Sequence, residues 1–102
     1  MEWYHYIAAF FSAAFFSNAV PHLVNGVSGD KFPTPFAKPP GKGLSSPLVN
    51  VLWAMLNWIV GYVLLRVSCM TAGNIPALVV CFAGFTAMSV VSAVNFQKKE
   101  KE

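Results

Sequence analysis

Charge is what this sequence has least of: 11% of its residues are Asp, Glu, Lys or Arg, against roughly 25% in ordinary soluble domains. A soluble domain of 102 residues needs a polar exterior, and so few charges cannot supply one. Their placement excludes more than their number. No charged residue occurs between Trp3 and Val24, between Pro47 and Leu65, or between Pro76 and Phe96. Each run reaches or approaches the ~20 residues that a helix needs to cross about 30 Å of hydrocarbon.

Other absences narrow the function classes. The four acids, Glu2, Asp30, Glu100 and Glu102, all fall outside the apolar runs. Proton- and sodium-coupled transporters generally use buried charged groups, so this pattern weighs against them. Acid–base catalysis needs a positioned carboxylate or histidine pair, and no such set is visible. No Cys-x-x-Cys and no cluster with metal-ligand spacing occurs, so neither a metal nor a cofactor is expected. Glu2 is the only charge before residue 30. A cleavable signal peptide would carry a basic n-region there, so the first run is expected to be a retained helix. The net charge of +3 is not a nucleic-acid signature, because the basic residues gather in loops and in the tail.

What remains reads as an all-α integral membrane protein with one domain. Its three transmembrane helices are expected at about 3–24, 47–67 and 76–96, with a loop over 25–46, a short turn over 68–75 and a solvated tail over 97–102. Trp3, Tyr4, His5 and Tyr6 suit the headgroup layer, each ring having an apolar body and a polar edge. Pro21 falls near the end of the first helix, where it produces a kink or marks the final turn, and Asn25-Gly26 is the expected stop. Ser46-Pro47 reads as an N-cap followed by proline in the first turn, and Pro76 starts the third helix by the same device. The 25–46 loop holds Pro33, Pro35, Pro39 and Pro40 with Gly26, Gly29, Gly41 and Gly43, a density of breakers under which no helix or strand periodicity survives. Loops this long are usually functional or disordered, and Phe32, Phe36 and Leu44 argue against simple disorder. They would dip the loop into the interface or pack it over the helix ends.

Orientation follows from the lysines. Lys31, Lys38 and Lys42 in the long loop and Lys98, Lys99 and Lys101 in the tail share one side, and Arg66 alone marks the other. The positive-inside rule puts the long loop and the C-terminus in the cytoplasm and the N-terminus outside, in a plasma or inner membrane.

The candidate site residues form three groups. Asn50, Ala54, Asn57 and Gly61 share one face of the second helix, and Asn18 and His22 lie four apart on the first, beside Phe11 and Phe15. Intramembrane amides seek partners and small residues let backbones approach. The asparagine face is therefore either a helix-packing surface, within the chain or between copies, or the lining of a polar path. Gly84 and Ala87, with Ala83, Ser89 and Ala93, extend the small-residue packing set to the third helix. Lys38, Lys42, Ser45 and Ser46, in a flexible run leading into a helix N-terminus, are an anion or lipid-phosphate candidate. Gly43 stands where a P-loop requires Ser or Thr. Cys69 and Cys81 fall toward the outer side, Cys81 as a buried thiol or, in an oxidising compartment, paired with Cys69.

The expected function is a non-enzymatic membrane protein: a self-associating structural or accessory subunit with lipids, its own copies or another membrane protein as partners. The alternatives are a small oligomeric channel or carrier, and a lipid-headgroup binder.

Overall fold

A computed structural model describes residues 2–40 and 42–99. Gly41 of the anion candidate run and Lys101 of the basic tail lie outside the described residues. The chain forms α1 (Trp3–Val27), β1 (Phe32–Pro33), β2 (Leu44–Ser45), α2 (Pro47–Ser68) and α3 (Ile75–Phe96). All three helices are long and apolar enough to cross a membrane.

The helix ends are set by local chemistry. Ser46 Oγ accepts from the Val49 amide at 3.2 Å and Pro47 occupies the first turn of α2, satisfying one of the orphan amides of a helix start. Asn74 plays the same role at α3, its side chain accepting from the Ala77 amide at 3.1 Å, so the helix begins at Ile75, one residue before Pro76. α1 does not stop at Asn25-Gly26. It runs to Val27, and Gly29, at φ +77°, ends it. The Gly29 amide donates to Gly26 at 3.1 Å and the Asp30 amide to Asn25 at 2.9 Å, closing the last carbonyls in a Schellman arrangement. Pro21 is accommodated inside the helix, where the Asn25 side chain donates to the Pro21 carbonyl at 2.7 Å.

α1 is the spine. It packs along its length on both α2 and α3, while those two have almost no direct contact. Ser12 meets Gly61, Asn18 meets Asn57 and His22 meets Asn50, a descending series that makes α1 and α2 antiparallel. Ala9 meets Cys81 and Ser17 meets Ser89, an ascending series that makes α1 and α3 parallel. The long loop and the start of the tail therefore share one end of the bundle, and the N-terminus and the 69–74 turn share the other.

The loop departs from the expectation of no strand. β1 and β2 pair antiparallel, Phe32 with Ser45 and Pro33 with Leu44. What holds so short a ladder is side-chain chemistry from elsewhere. Asn50 Nδ2 donates to the carbonyls of Phe32 at 2.9 Å, Ser45 at 3.2 Å and Ser46 at 3.0 Å, so one amide fastens both arms of the loop to α2. Thr34 and Ser45 join their hydroxyls at 2.5 Å across the arms. Phe32 is buried against His22 and Phe96, at ring-centroid distances of 5.4 and 4.7 Å, and Phe36 meets Trp53 edge-on at 5.2 Å. The loop lies over the helix ends.

Candidate functional site

The polar residues of α1 and α2 meet in two pairs. Asn18 Nδ2 donates to Asn57 Oδ1 at 2.9 Å, and Asn57 Nδ2 turns back to the Trp53 carbonyl at 2.8 Å. His22 Nδ1 lies 2.8 Å from Asn50 Oδ1. Asn50 and Asn57 are buried, as are Ala54 and Gly61 between them, so the asparagine face of α2 is turned inward on α1 of the same chain. Ser12, nearly two turns from Asn18 toward the N-terminus of α1, completes the row, its Oγ donating to the Gly61 carbonyl at 2.6 Å.

The environment of Asn50 fixes the histidine tautomer. Three carbonyls surround Asn50 Nδ2, so that atom is the amide nitrogen and Oδ1 must accept. His22 therefore carries its proton on Nδ1. Its Nε2 has no hydrogen-bond partner among the described residues.

His22 opens onto a cavity of about 420 Å³ at the loop end of the bundle, inside the roughly 300–1,000 Å³ range of small-molecule sites. Asn18 and His22 come from α1, Trp53 from α2, Met88, Ser92 and Asn95 from α3, and Thr34 with three prolines from the loop. Lys42 and Lys98 also border it, and both are solvent-exposed. Two further polar atoms lack partners among the described residues. Ser92 Oγ is buried without a hydrogen bond, and Asn18 Oδ1 is left over once its amide nitrogen has bonded Asn57. The cavity lining thus combines unpaired acceptors on His22 and Asn18, the Ser92 hydroxyl and two exposed lysines.

The other sequence candidates separate. Of the anion set, only Lys42 borders the cavity. Lys38 is exposed elsewhere, Ser45 Oγ is engaged by Thr34, and Ser46 Oγ caps α2. Gly84 packs directly on α1, where an added Cβ would run into the Phe10 carbonyl. Ala87 does not join it. The inward stripe of α3 runs through Ala77, Cys81, Gly84, Met88 and Ser92, and Ala87, rotated off that stripe, is exposed. Cys69 and Cys81 are both free, Cys81 Sγ lying 3.3 Å from Met70 Sδ and 3.5 Å from the Ala9 carbonyl. Among the described residues no three His, Cys, Asp or Glu side chains gather in a metal-binding arrangement.

Sequence reasoning missed the contribution of α3. Met88, Ser92 and Asn95 lie three to four residues apart and so share a face, yet that spacing alone does not say that the face meets His22. No protein-family model matches the chain, and no curated protein or solved structure matches it either.

Proposed function

We propose that this chain is a three-span integral membrane protein that binds the headgroup of an anionic lipid at its basic end, in an accessory rather than a catalytic role. The observation that carries the reading is the cavity itself: a buried serine hydroxyl without a partner and the unpaired acceptors of His22 and Asn18 in its lining, two exposed lysines at its border, and helices on either side that do not close over it. The long axis of 45 Å suits a bilayer of about 40–45 Å including headgroups. Helices of 22 residues supply about 33 Å of that at ~1.5 Å per residue. The N-terminus is assigned to the outside and the loop and tail to the cytoplasm of a plasma or inner membrane, on the bias of lysines to the loop end.

The scaffold and channel readings have less support. Of the small residues that would build an interface between copies, Ala54, Gly61 and Gly84 are occupied inside one chain, and Ala83, Ala87 and Ala93 of α3 stay exposed for it. Asn50 and Asn57, which would line a wet path, are 0% and 2% exposed and hydrogen-bonded. A cysteine introduced at Asn57, in a background lacking Cys69 and Cys81, is expected to resist water-soluble thiol reagents. Rapid labelling would favour the channel.

The lipid reading is tested by native mass spectrometry of the full chain released from nanodiscs of mixed anionic and zwitterionic phospholipid. Anionic lipid is expected to be retained preferentially. Lys42→Gln with Lys98→Gln should remove roughly 1 kcal/mol of that preference per lysine, and equal retention of both lipid classes by the wild type refutes the reading. Reporter fusions at residue 102 and in the 31–42 loop are both expected to report cytoplasm.

A further inference from the structure

Resting on the headgroup reading, we infer that the cavity selects anionic lipids whose phosphate carries a hydroxylated alcohol, with His22 Nε2 as the acceptor for the hydroxyl. The argument is one of complementarity. Nδ1 of His22 is committed to Asn50, whose own orientation is locked by three carbonyls, so the neutral ring can turn only a lone pair toward the cavity. Asn18 adds a second acceptor, because its nitrogen is committed to Asn57. Ser92 Oγ, buried and unpartnered, can donate or accept. Of these groups Ser92 Oγ is the one buried without any partner among the described residues, which costs stability, and a ligand that bonds it while bringing donors to the two acceptors removes the cost.

That requirement sorts the common headgroups. A bare phosphate monoester or a phosphodiester capped by a methyl group brings mainly acceptor oxygens, which the inner acceptors cannot use. An ethanolamine or choline head brings a cation toward Lys42 and Lys98. A glycerol or other polyol joined through a phosphodiester meets both conditions, with hydroxyls inside and the single negative charge at the lysines. Phosphatidylglycerol is the simplest lipid of this description.

The same face of α1 explains why the ligand is a lipid and not a free polyol phosphate. Phe15 and Phe11 lie on the face of Asn18 and His22, successively closer to the N-terminus. Phe11 is 49% exposed and Phe15 half-buried, so the N-terminal part of this face is open where His22 is not. An acyl chain continuing from the cavity meets these rings along the spine.

The test uses the full chain in phosphatidylcholine nanodiscs doped with either phosphatidylglycerol or phosphatidylmethanol of the same acyl chains. These two lipids carry the same charge and differ in the hydroxyls. Native mass spectrometry is expected to show phosphatidylglycerol bound about five- to tenfold more tightly, the worth of one net hydrogen bond. Ser92→Leu, which fills the cavity without touching the His22–Asn50 pair, should abolish the difference, and so should His22→Phe. Where His22→Phe fails to fold, Ser92→Leu decides alone. Equal binding of the two anionic lipids, both above phosphatidylcholine, overturns the hydroxyl selection and leaves the headgroup reading standing. Binding of neither above phosphatidylcholine removes both. An undiminished glycerol advantage in Ser92→Leu overturns the location. Millimolar glycerol 3-phosphate in the buffer is expected not to displace the lipid, and displacement overturns the lipid as the ligand.

Discussion

Along the α1–α2 seam, side chains reach across at three levels, Ser12 to Gly61, Asn18 to Asn57 and His22 to Asn50. Along the α1–α3 seam the crossing bonds are Ser17 to Ser89 at 2.8 Å and the weaker Cys81 thiol to the Ala9 carbonyl at 3.5 Å, and the tightest feature is the backbone of Gly84 laid against Phe10. In the bilayer proposed for this chain, lipid gives helices no hydrophobic reason to associate, so packing and interhelical hydrogen bonds must do it. The two seams divide those means between them. Directional bonds fix the register of α1 against α2, and that register brings Asn50 under the loop. Close approach fixes α3, and its stripe carries Met88 and Ser92 to the other wall of the cavity.

Asn50 is the point at which the polar seam is most vulnerable. Asn50→Leu removes the acceptor of His22 and the donor shared by three loop carbonyls. Leaving such groups unpaired costs ~1–3 kcal/mol each when they stay buried. The loss is expected to be on the order of 3 kcal/mol, because the loop carbonyls can turn to water. Reversible unfolding in mixed micelles gives the magnitude, and proteolysis within 34–43 should accelerate as the loop comes away. A variant with an intact loop would mean that the aromatic contacts of Phe32 and Phe36 hold it alone.

The packed seam has its own weak point at Gly84. Gly84→Ala forces a Cβ against the Phe10 carbonyl, and backbone cannot swing aside as a side chain can. Overpacking of this kind costs about 1–3 kcal/mol, and α3 should separate from α1 while the α1–α2 pair survives. Disulfide crosslinking between cysteines at Ser17 and Ser89 should fall, and crosslinking between cysteines at Ser12 and Gly61 should not. Loss of both together would show that the seams are coupled. Asn57→Leu comes next. It removes one interhelical bond, with an expected cost of ~0.6–2 kcal/mol and no effect on the loop, because Asn50 remains.

How much of this was legible in the residues differs between the seams. The three long apolar helices follow from charge-free runs, and the face carrying Asn50, Ala54, Asn57 and Gly61 follows from helical spacing alone. The pairing of those amides with Asn18 and His22 does not. It depends on how far α1 runs, and α1 passes through Asn25-Gly26 because Gly29 supplies the left-handed turn that closes it. The β1–β2 pairing was equally hidden, since the amide that fastens it, Asn50, belongs to the following helix. On α3, Gly84 and Ala87 are equally small, and only the position of α1 shows that Gly84 faces inward while Ala87 does not. Sequence patterns name faces, and what each face meets is settled by non-local geometry.

The smallest expected effect sharpens the comparison most. Ser17 and Ser89 share one hydrogen bond, but Ser89 has a substitute: its Oγ also lies 2.8 Å from the Phe85 carbonyl of its own helix. Removing the partner leaves Ser89 satisfied locally, as hydroxyls in membrane helices commonly are. A double-mutant cycle with Ser17→Ala and Ser89→Ala is expected to return a coupling of about 0.6 kcal/mol or less, the average for such bonds in membranes. Asn18 and Asn57 lack that fallback, because Asn18 has no other partner among the described residues for its amide nitrogen once Asn57 is gone. Their cycle, Asn18→Ala with Asn57→Ala, should give the larger coupling. If the two couplings prove equal, the division of the bundle into a hydrogen-bonded seam and a close-packed seam fails, and the tight fit at Gly84 would have to account for the stability of both.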